Sequence, residues 1–164
     1  MNNDIKIEEK LAQLLVGKRL TLSTAESCTG GNIAHLITSV AGSSVYYMGG
    51  VVSYSNSVKS ELLGVLETEI ETFGAVSEPV VRHMADGVKR RLKTDCAIAT
   101  SGIAGPGGGT TEKPVGTIWI AISTPLGTIS KCLRTDSSDR LYNITEATNK
   151  ALEMLYFQLI EENV

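Results

Sequence analysis

The chain has 164 residues, 42% hydrophobic and 20% charged, which suits one globular domain and excludes a disordered tail, a collagen-like repeat or a disulfide scaffold. Fifteen Lys and Arg against 18 Asp and Glu leave a net charge of -3; the one basic cluster, Lys89-Arg90-Arg91-Leu92-Lys93, falls where a helix should end, so the basic face of a nucleic-acid binder is missing. Glycine is the outlier, 16 residues against a usual share of about 7%.

Ile7, Leu11, Leu14 and Leu15 recur at helical spacing and predict an amphipathic helix over residues 4 to 17, ending at Gly17. Leu20 to Ala25 is a short strand that runs into Glu26-Ser27-Cys28-Thr29-Gly30-Gly31, followed by a helix from Asn32 to Val40. Met48 to Tyr54 is apolar and β-branched, a buried strand, and Asn56 to Leu63 reads as a short helix stopped by Gly64. Val81, Met84, Ala85, Val88 and Leu92 mark another amphipathic helix, opened by Ser77-Glu78-Pro79 as a cap with an early proline. Asp95 to Ser101 is a compact apolar strand that leads into glycine-rich Gly102 to Thr111. Val115 to Ser123 and Thr128 to Arg134 are strands joined at Pro125-Leu126-Gly127 as a hairpin. A last helix covers Ser138 to Glu161, with Leu141, Ile144, Ala151 and Leu155 on one face.

Strands alternating with helices predict an α/β sheet covered on both faces, and the late hairpin makes that sheet mixed. Ligands of such sheets collect at the carboxyl ends of strands, where loops meet helix N-termini. Residues 26 to 31 and 102 to 111 have that position, and they hold seven of the 16 glycines, at 30, 31, 102, 105, 107, 108 and 109.

Cys28, Cys96 and Cys132 are odd in number and widely spaced, which argues for reduced thiols in a cytoplasmic protein. Met1-Asn2-Asn3-Asp4 is polar, with no apolar signal segment, and no apolar run reaches the roughly 20 residues of a membrane span. Asn143-Ile144-Thr145 matches a glycosylation sequon, which carries no meaning without secretion.

Ser27 sits between a strand and a helix beside two glycines. There, backbone N–H groups suit a phosphate or the oxyanion of acyl transfer. The same pattern is that of a plain strand-to-helix turn capped by Thr29, and the GxSxG elbow is absent. His35 and His83 lie inside helices without metal or triad spacing, so a lysine is the remaining base for Ser27. Lys59, near the start of its helix and just after Tyr54, is the candidate; its alternative is a solvated helix lysine. The stretch 102 to 111 lacks the GK[ST] ending of a P-loop and the GxGxxG register of a dinucleotide fold, leaving a backbone cradle for a small polar ligand or a mobile surface loop. Arg140 opens a helix, a costly place for a cation unless it serves an anion or a salt bridge. Trp119 is a packing residue, and Cys28 is either a bystander or a reactive thiolate.

Thr24-Ala25-Glu26-Ser27-Cys28-Thr29-Gly30-Gly31, Tyr54-Ser55-Asn56 with Lys59, Ala75-Val76-Ser77, and Gly102-Ile103-Ala104-Gly105-Pro106 through Lys113-Pro114-Val115-Gly116-Thr117 occur in that order. In these segments the chain resembles the CinA C-terminal domain family, the nicotinamide-nucleotide amidases, from Leu11 to Leu155. The free-standing form is the closer match, because the molybdopterin-binding-like domain of longer members is missing; residues 1–164 would then be one amidase domain. The resemblance implies a three-layer α/β/α fold with a mixed, mostly parallel five-stranded sheet. It implies hydrolysis of the nicotinamide mononucleotide carboxamide to nicotinic acid mononucleotide and ammonia, with no metal or cofactor. Ser27 would be the nucleophile, Lys59 its base and Tyr54 an assistant, with backbone N–H groups from Ser27 to Gly30 around the oxyanion. Cys28, Thr29, Gly30, Gly31, Gly102, Gly105, Gly107, Gly108, Gly109, Thr110 and Arg140 would bind the substrate, the 105 to 111 loop and Arg140 taking its phosphate. The partner is a small-molecule nucleotide, not nucleic acid or membrane, and a homo-oligomer is expected. One departure stands out: the family's last helix commonly begins Gly-Asp-Arg with a second arginine four residues later, where this chain has Ser138 and Ile144. That departure motivates the alternative of a non-catalytic nucleotide- or phosphate-binding module.

Overall fold

The structure, a computed structural model, describes residues 5–163. Chain order is α1 (Ile7–Lys18), β1 (Leu22–Glu26), α2 (Asn32–Thr38), a single 3-10 turn (Ser43–Val45), β2 (Tyr47–Val52), α3 (Asn56–Leu63), α4 (Glu67–Phe73), α5 (Glu78–Leu92), β3 (Cys96–Gly102), β4 (Thr117–Thr124), β5 (Gly127–Arg134) and α6 (Arg140–Glu161). The strands form one five-stranded sheet in the order β2-β1-β3-β4-β5. β1 pairs in parallel with both β2 and β3, while β4 is antiparallel to β3 and to β5. Four strands therefore run one way and β4 alone is reversed.

Burial follows from this order. Every residue of β1 is buried, as is β3 up to Ser101, because central strands are covered on both faces. The edge strands β2 and β5 alternate between more and less exposed residues instead. Leu11, Leu15, Ile33, Leu152 and Leu155 bring α1, α2 and α6 onto one face of the sheet. Val81, Met84, Ala85 and Val88 bring α5 onto the other, with Leu63 of α3 beside them. The α3–α5 approach is so close that a Cβ on Gly87 would lie 2.0 Å from the Leu63 carbonyl oxygen. Three layers result, α/β/α.

Several boundaries differ from the sequence pattern. The expected start of α1 at residue 4 lies outside the described residues. Its end passes Gly17 to Lys18, and Arg19 closes it in a left-handed conformation at φ 59°. α2 stops at Thr38, short of Val40. α4 was not predicted, since its sequence ETEIETF presents only Ile70 to the α5 side of the sheet. Ser77 does precede α5, but its hydroxyl donates to the Gly74 carbonyl and leaves the helix uncapped. The hairpin turn is Pro125-Leu126, between paired Thr124 and Gly127.

β1 leads to β2 on one side, and the next strand, β3, lies on the other. The crevice beyond the carboxyl ends of β1 and β3 is thus a topological switch point, the place where open α/β sheets bind ligands.

Candidate active site

Ser27 is the first residue beyond β1. Its N–H donates to the Thr100 carbonyl at 3.0 Å, and the Gly30 N–H donates to the Ser27 carbonyl at 3.1 Å. Gly30 (φ 60°) and Gly31 (φ 99°) turn the chain into α2 through left-handed conformations that favour glycine. Gly31, not Thr29, holds the cap position of α2, and it has no capping side chain. The cap comes from Glu26 instead, whose carboxylate accepts the N–H groups of Ile33 at 2.9 Å and Ala34 at 3.0 Å. Thr29 donates its hydroxyl to Glu26 Oε1 at 2.7 Å and lies 2.8 Å from Thr100 Oγ1. The start of α2 is therefore occupied from within, which corrects the expectation that it faces a ligand. Of the expected oxyanion donors between Ser27 and Gly30, those of Ser27 and Gly30 serve the turn, which leaves the N–H groups of Cys28 and Thr29.

Lys59 approaches from α3, whose first turn is capped by the Ser55 hydroxyl accepting the Val58 N–H. It is 2% exposed. Its Nζ lies 3.1 Å from Ser27 Oγ and donates to the Ser53 carbonyl at 2.7 Å. Burial pulls the Lys59 pKa below its ordinary 10.5, because a desolvated ammonium is disfavoured against the neutral amine.

A cavity of about 310 Å³ opens over this pair. Ser27, Cys28, Tyr54, Lys59, Gly102, Gly105, Gly107, Gly108 and Arg140 line it. Thr29, Gly30, Gly31, Gly109 and Thr110, expected there too, do not. Thr29 is turned inward and the two glycines shape the turn. Gly109 backs onto Val115, whose nitrogen would lie 2.7 Å from an added Cβ. Thr110 folds onto Lys113, accepting its N–H at 3.0 Å. Ala75, Val76 and Ser101 line the cavity without having been singled out as site residues. The Ser101 hydroxyl fixes that wall by donating to the Ala75 carbonyl at 2.7 Å. Only the position of Ala75-Val76 within a family motif signalled it in the sequence.

Arg140 bridges the mouth. It donates through Nη1 to the Gly105 carbonyl at 2.7 Å and through Nη2 to the Tyr54 hydroxyl at 2.9 Å. Tyr54 is 62% exposed. One turn along α6, Asn143 is wholly buried and donates to the carbonyls of Ala104 at 2.8 Å and Ser137 at 2.9 Å. The glycine-rich stretch is thereby tied to the first turn of α6, and the sequon asparagine has a structural task. Ile144 packs against the core, so the position where the family often has arginine is a packing position here.

The other nucleophile candidate fails on electrostatics. Burial pushes the Cys28 thiol up to about 12, with the Glu26 carboxylate adding to it, so a reactive thiolate is not formed at neutral pH. His35 is exposed on α2, and His83 pairs with Glu69 at 2.5 Å. Among the described residues no cluster of three or more His, Cys, Asp or Glu could hold a metal ion, and no helix is long and apolar enough to cross a membrane.

The family described as the CinA C-terminal domain matches residues 4–159. A CinA-like protein of Amoebophilus asiaticus is 46% identical over 153 residues, covering 93% of this chain and 36% of its own length. This chain thus spans about a third of that longer relative. The nicotinamide-nucleotide amidohydrolase PncC of Escherichia coli is 44% identical over 160 residues, covering 96% of this chain and 95% of its own. Among solved structures, the competence/damage inducible protein CihA of Agrobacterium tumefaciens superposes with a TM-score of 0.85 at 39% identity, over 94% of this chain and 97% of that one. A CinA superfamily protein of Klebsiella pneumoniae gives a TM-score of 0.90 at 33% identity, over 94% and 96%.

Proposed function

This chain belongs to the CinA C-terminal domain family, and from that premise we propose that it is a serine amidohydrolase that deamidates nicotinamide mononucleotide to nicotinic acid mononucleotide and ammonia. The observation that carries the reading is Lys59, an almost fully buried amine 3.1 Å from the Ser27 hydroxyl on the wall of a cavity. A surface lysine has no reason to be there; a base must be close and able to shed its proton, and burial shifts Lys59 in that direction.

In the proposed reaction one Lys59 N–H stays on the Ser53 carbonyl, which aims the nitrogen lone pair at the Ser27 hydroxyl proton. Lys59 takes that proton as Oγ attacks the carboxamide carbon. The N–H groups of Cys28 and Thr29 are the donors left for the oxyanion. Lys59, now an ammonium, returns the proton to the departing nitrogen, directly or through the Tyr54 hydroxyl, and ammonia leaves. Water then attacks the acyl ester with Lys59 again as base, and the carboxylate is released from Ser27. Arg140 and the backbone of Gly105 to Gly108 sit at the mouth, where the phosphate of the nucleotide is placed. We assign this to one amidase domain spanning the chain, acting in the cytoplasm on a small-molecule nucleotide as a homo-oligomer.

Ammonia release from nicotinamide mononucleotide tests the proposal. Wild type should turn over, and Ser27→Ala should lose about a thousandfold or more in kcat with its fold intact. Thermal stabilisation by the nucleotide without turnover in wild type would instead support a binding module. Full activity in Ser27→Ala would remove the serine from the chemistry.

A further inference from the structure

One ionisable group lies buried beside the nucleophile without a step in the reaction above. Glu26, the residue before Ser27, is 1% exposed. Burying a lone carboxylate is costly, so it needs donors on its oxygens. Three are present: the N–H groups of Ile33 and Ala34 and the hydroxyl of Thr29. Thr29 in turn meets Thr100 Oγ1, and the Thr100 carbonyl accepts the Ser27 N–H. On the main-chain side, the Glu26 carbonyl accepts the Ser53 N–H at 2.8 Å, and the Ser53 carbonyl is the one that aims Lys59. A single residue thus holds the turn that carries the nucleophile and adjoins the carbonyl that orients the base.

We infer that Glu26 is a positioning residue, its carboxylate locking the 27–31 turn against α2 and β3 so that Ser27 Oγ stays in line with Lys59 Nζ. The inference rests on reading Ser27 as the nucleophile. Geometry of this kind matters because a misplacement near 1 Å costs on the order of a hundredfold in rate. Glu26 touches no substrate in this arrangement, so its loss should slow the chemistry and spare binding.

Two variants and two readouts test it. Glu26→Gln keeps the shape but turns an amide N–H₂ toward N–H donors, and Thr29→Val removes the hydroxyl while leaving the carboxylate its two backbone donors. Acylation of Ser27 by p-nitrophenyl acetate, followed by intact mass, forms the Oγ–acyl bond and expels p-nitrophenolate without needing the natural substrate; ammonia release from nicotinamide mononucleotide supplies kcat and KM. Each variant should acylate about tenfold more slowly or worse and lose kcat in step, with KM within about twofold. The double variant should be no slower than the worse single one, because both act through the same turn. A folded Glu26→Gln that acylates at the wild-type rate overturns the inference, as does a loss confined to KM. Should Glu26→Gln fail to fold, Thr29→Val decides by the same criteria. Wild type that acylates at Ser27 but releases no ammonia overturns the proposed substrate and leaves the acylation rates of the variants to decide this inference; wild type that is not acylated at Ser27 overturns both.

Discussion

The two glycine-containing loops at the carboxyl edge of the sheet look alike in sequence and behave differently in the fold. The 27–31 turn is largely closed on itself: the N–H groups of Ser27 and Gly30, the Thr29 hydroxyl and the start of α2 are satisfied by Thr100, Ser27 and Glu26. The stretch from Gly102 to Gly108 faces the cavity, and its carbonyls at 104 and 105 are held from α6 by Asn143 and Arg140. The lesson is one of division. One loop is tied down around Ser27, the other lines the space a ligand would fill. Glycine serves backbone conformation in both, and at Gly105 of the second it also permits a close approach.

The largest expected effect strikes the closed side. Lys59→Met should cost about a thousandfold or more in kcat, measured by ammonia release, because it removes the amine that meets the Ser27 hydroxyl at 3.1 Å.

Glycine substitutions then separate the loops. At Gly105 an added Cβ would lie 2.4 Å from Val115 Cγ1 in a left-handed backbone of φ 89°. Gly105→Ala should therefore lower stability by about 2 kcal/mol and raise KM, since Arg140 loses its carbonyl partner. Gly30 has φ 60° but open space around it, so Gly30→Ala should cost only the roughly 1–2 kcal/mol of backbone strain. Gly107 has neither constraint, and Gly107→Ala should stay within about 0.5 kcal/mol of wild type. Urea unfolding with substrate titration reads all three; equal effects on stability and KM at 30 and 105 would erase the distinction between the loops.

A pH dependence sharpens the electrostatic side. The Lys59 pKa is lowered in the folded state, so between that value and 10.5 the unfolded chain binds more protons than the folded one. Stability carried by Lys59 must then rise with pH through that window. Relative to Lys59→Met, wild type should gain stability from pH 7 to pH 10 in urea unfolding, and a gap moving the other way would contradict the burial argument. The smallest effect is on thiols. Cys28 and Cys96, both pushed to about 12 by burial, should resist iodoacetamide at pH 8 while half-buried Cys132 reacts first, as peptide mass mapping would show.

Much of the fold was legible because its signals are local. β-branched runs marked the strands, the Val81-to-Leu92 spacing marked α5, and Pro125-Leu126-Gly127 marked the hairpin. α4 escaped notice because a seven-residue polar helix with one inward isoleucine has almost no periodicity to read. The end of α1 differs from the pattern for a related reason: Arg19 takes the left-handed conformation that usually goes to glycine, whereas the basic cluster did mark the end of α5 at Leu92. The site was legible in part. Residue patterns alone made Lys59 a candidate base with a solvated helix lysine as its alternative, since its meeting with Ser27 spans 32 positions and belongs to the tertiary fold. The family resemblance named the pair. Neither source pointed to Glu26, because a carboxylate becomes a cap only once α2 has been folded over it.

The reversal of β4 has a consequence for how such a protein can diverge. Had β4 run parallel to β3, the chain would have had to cross the length of the sheet between them. Antiparallel pairing, anchored where Gly102 meets Ile118, returns the chain to the same rim instead. Everything between those two residues is then an insert clipped into a fixed frame. The length of that insert can therefore change without altering which strands pair, and Ser27 and Lys59, beyond β1 and on α3, both lie outside it.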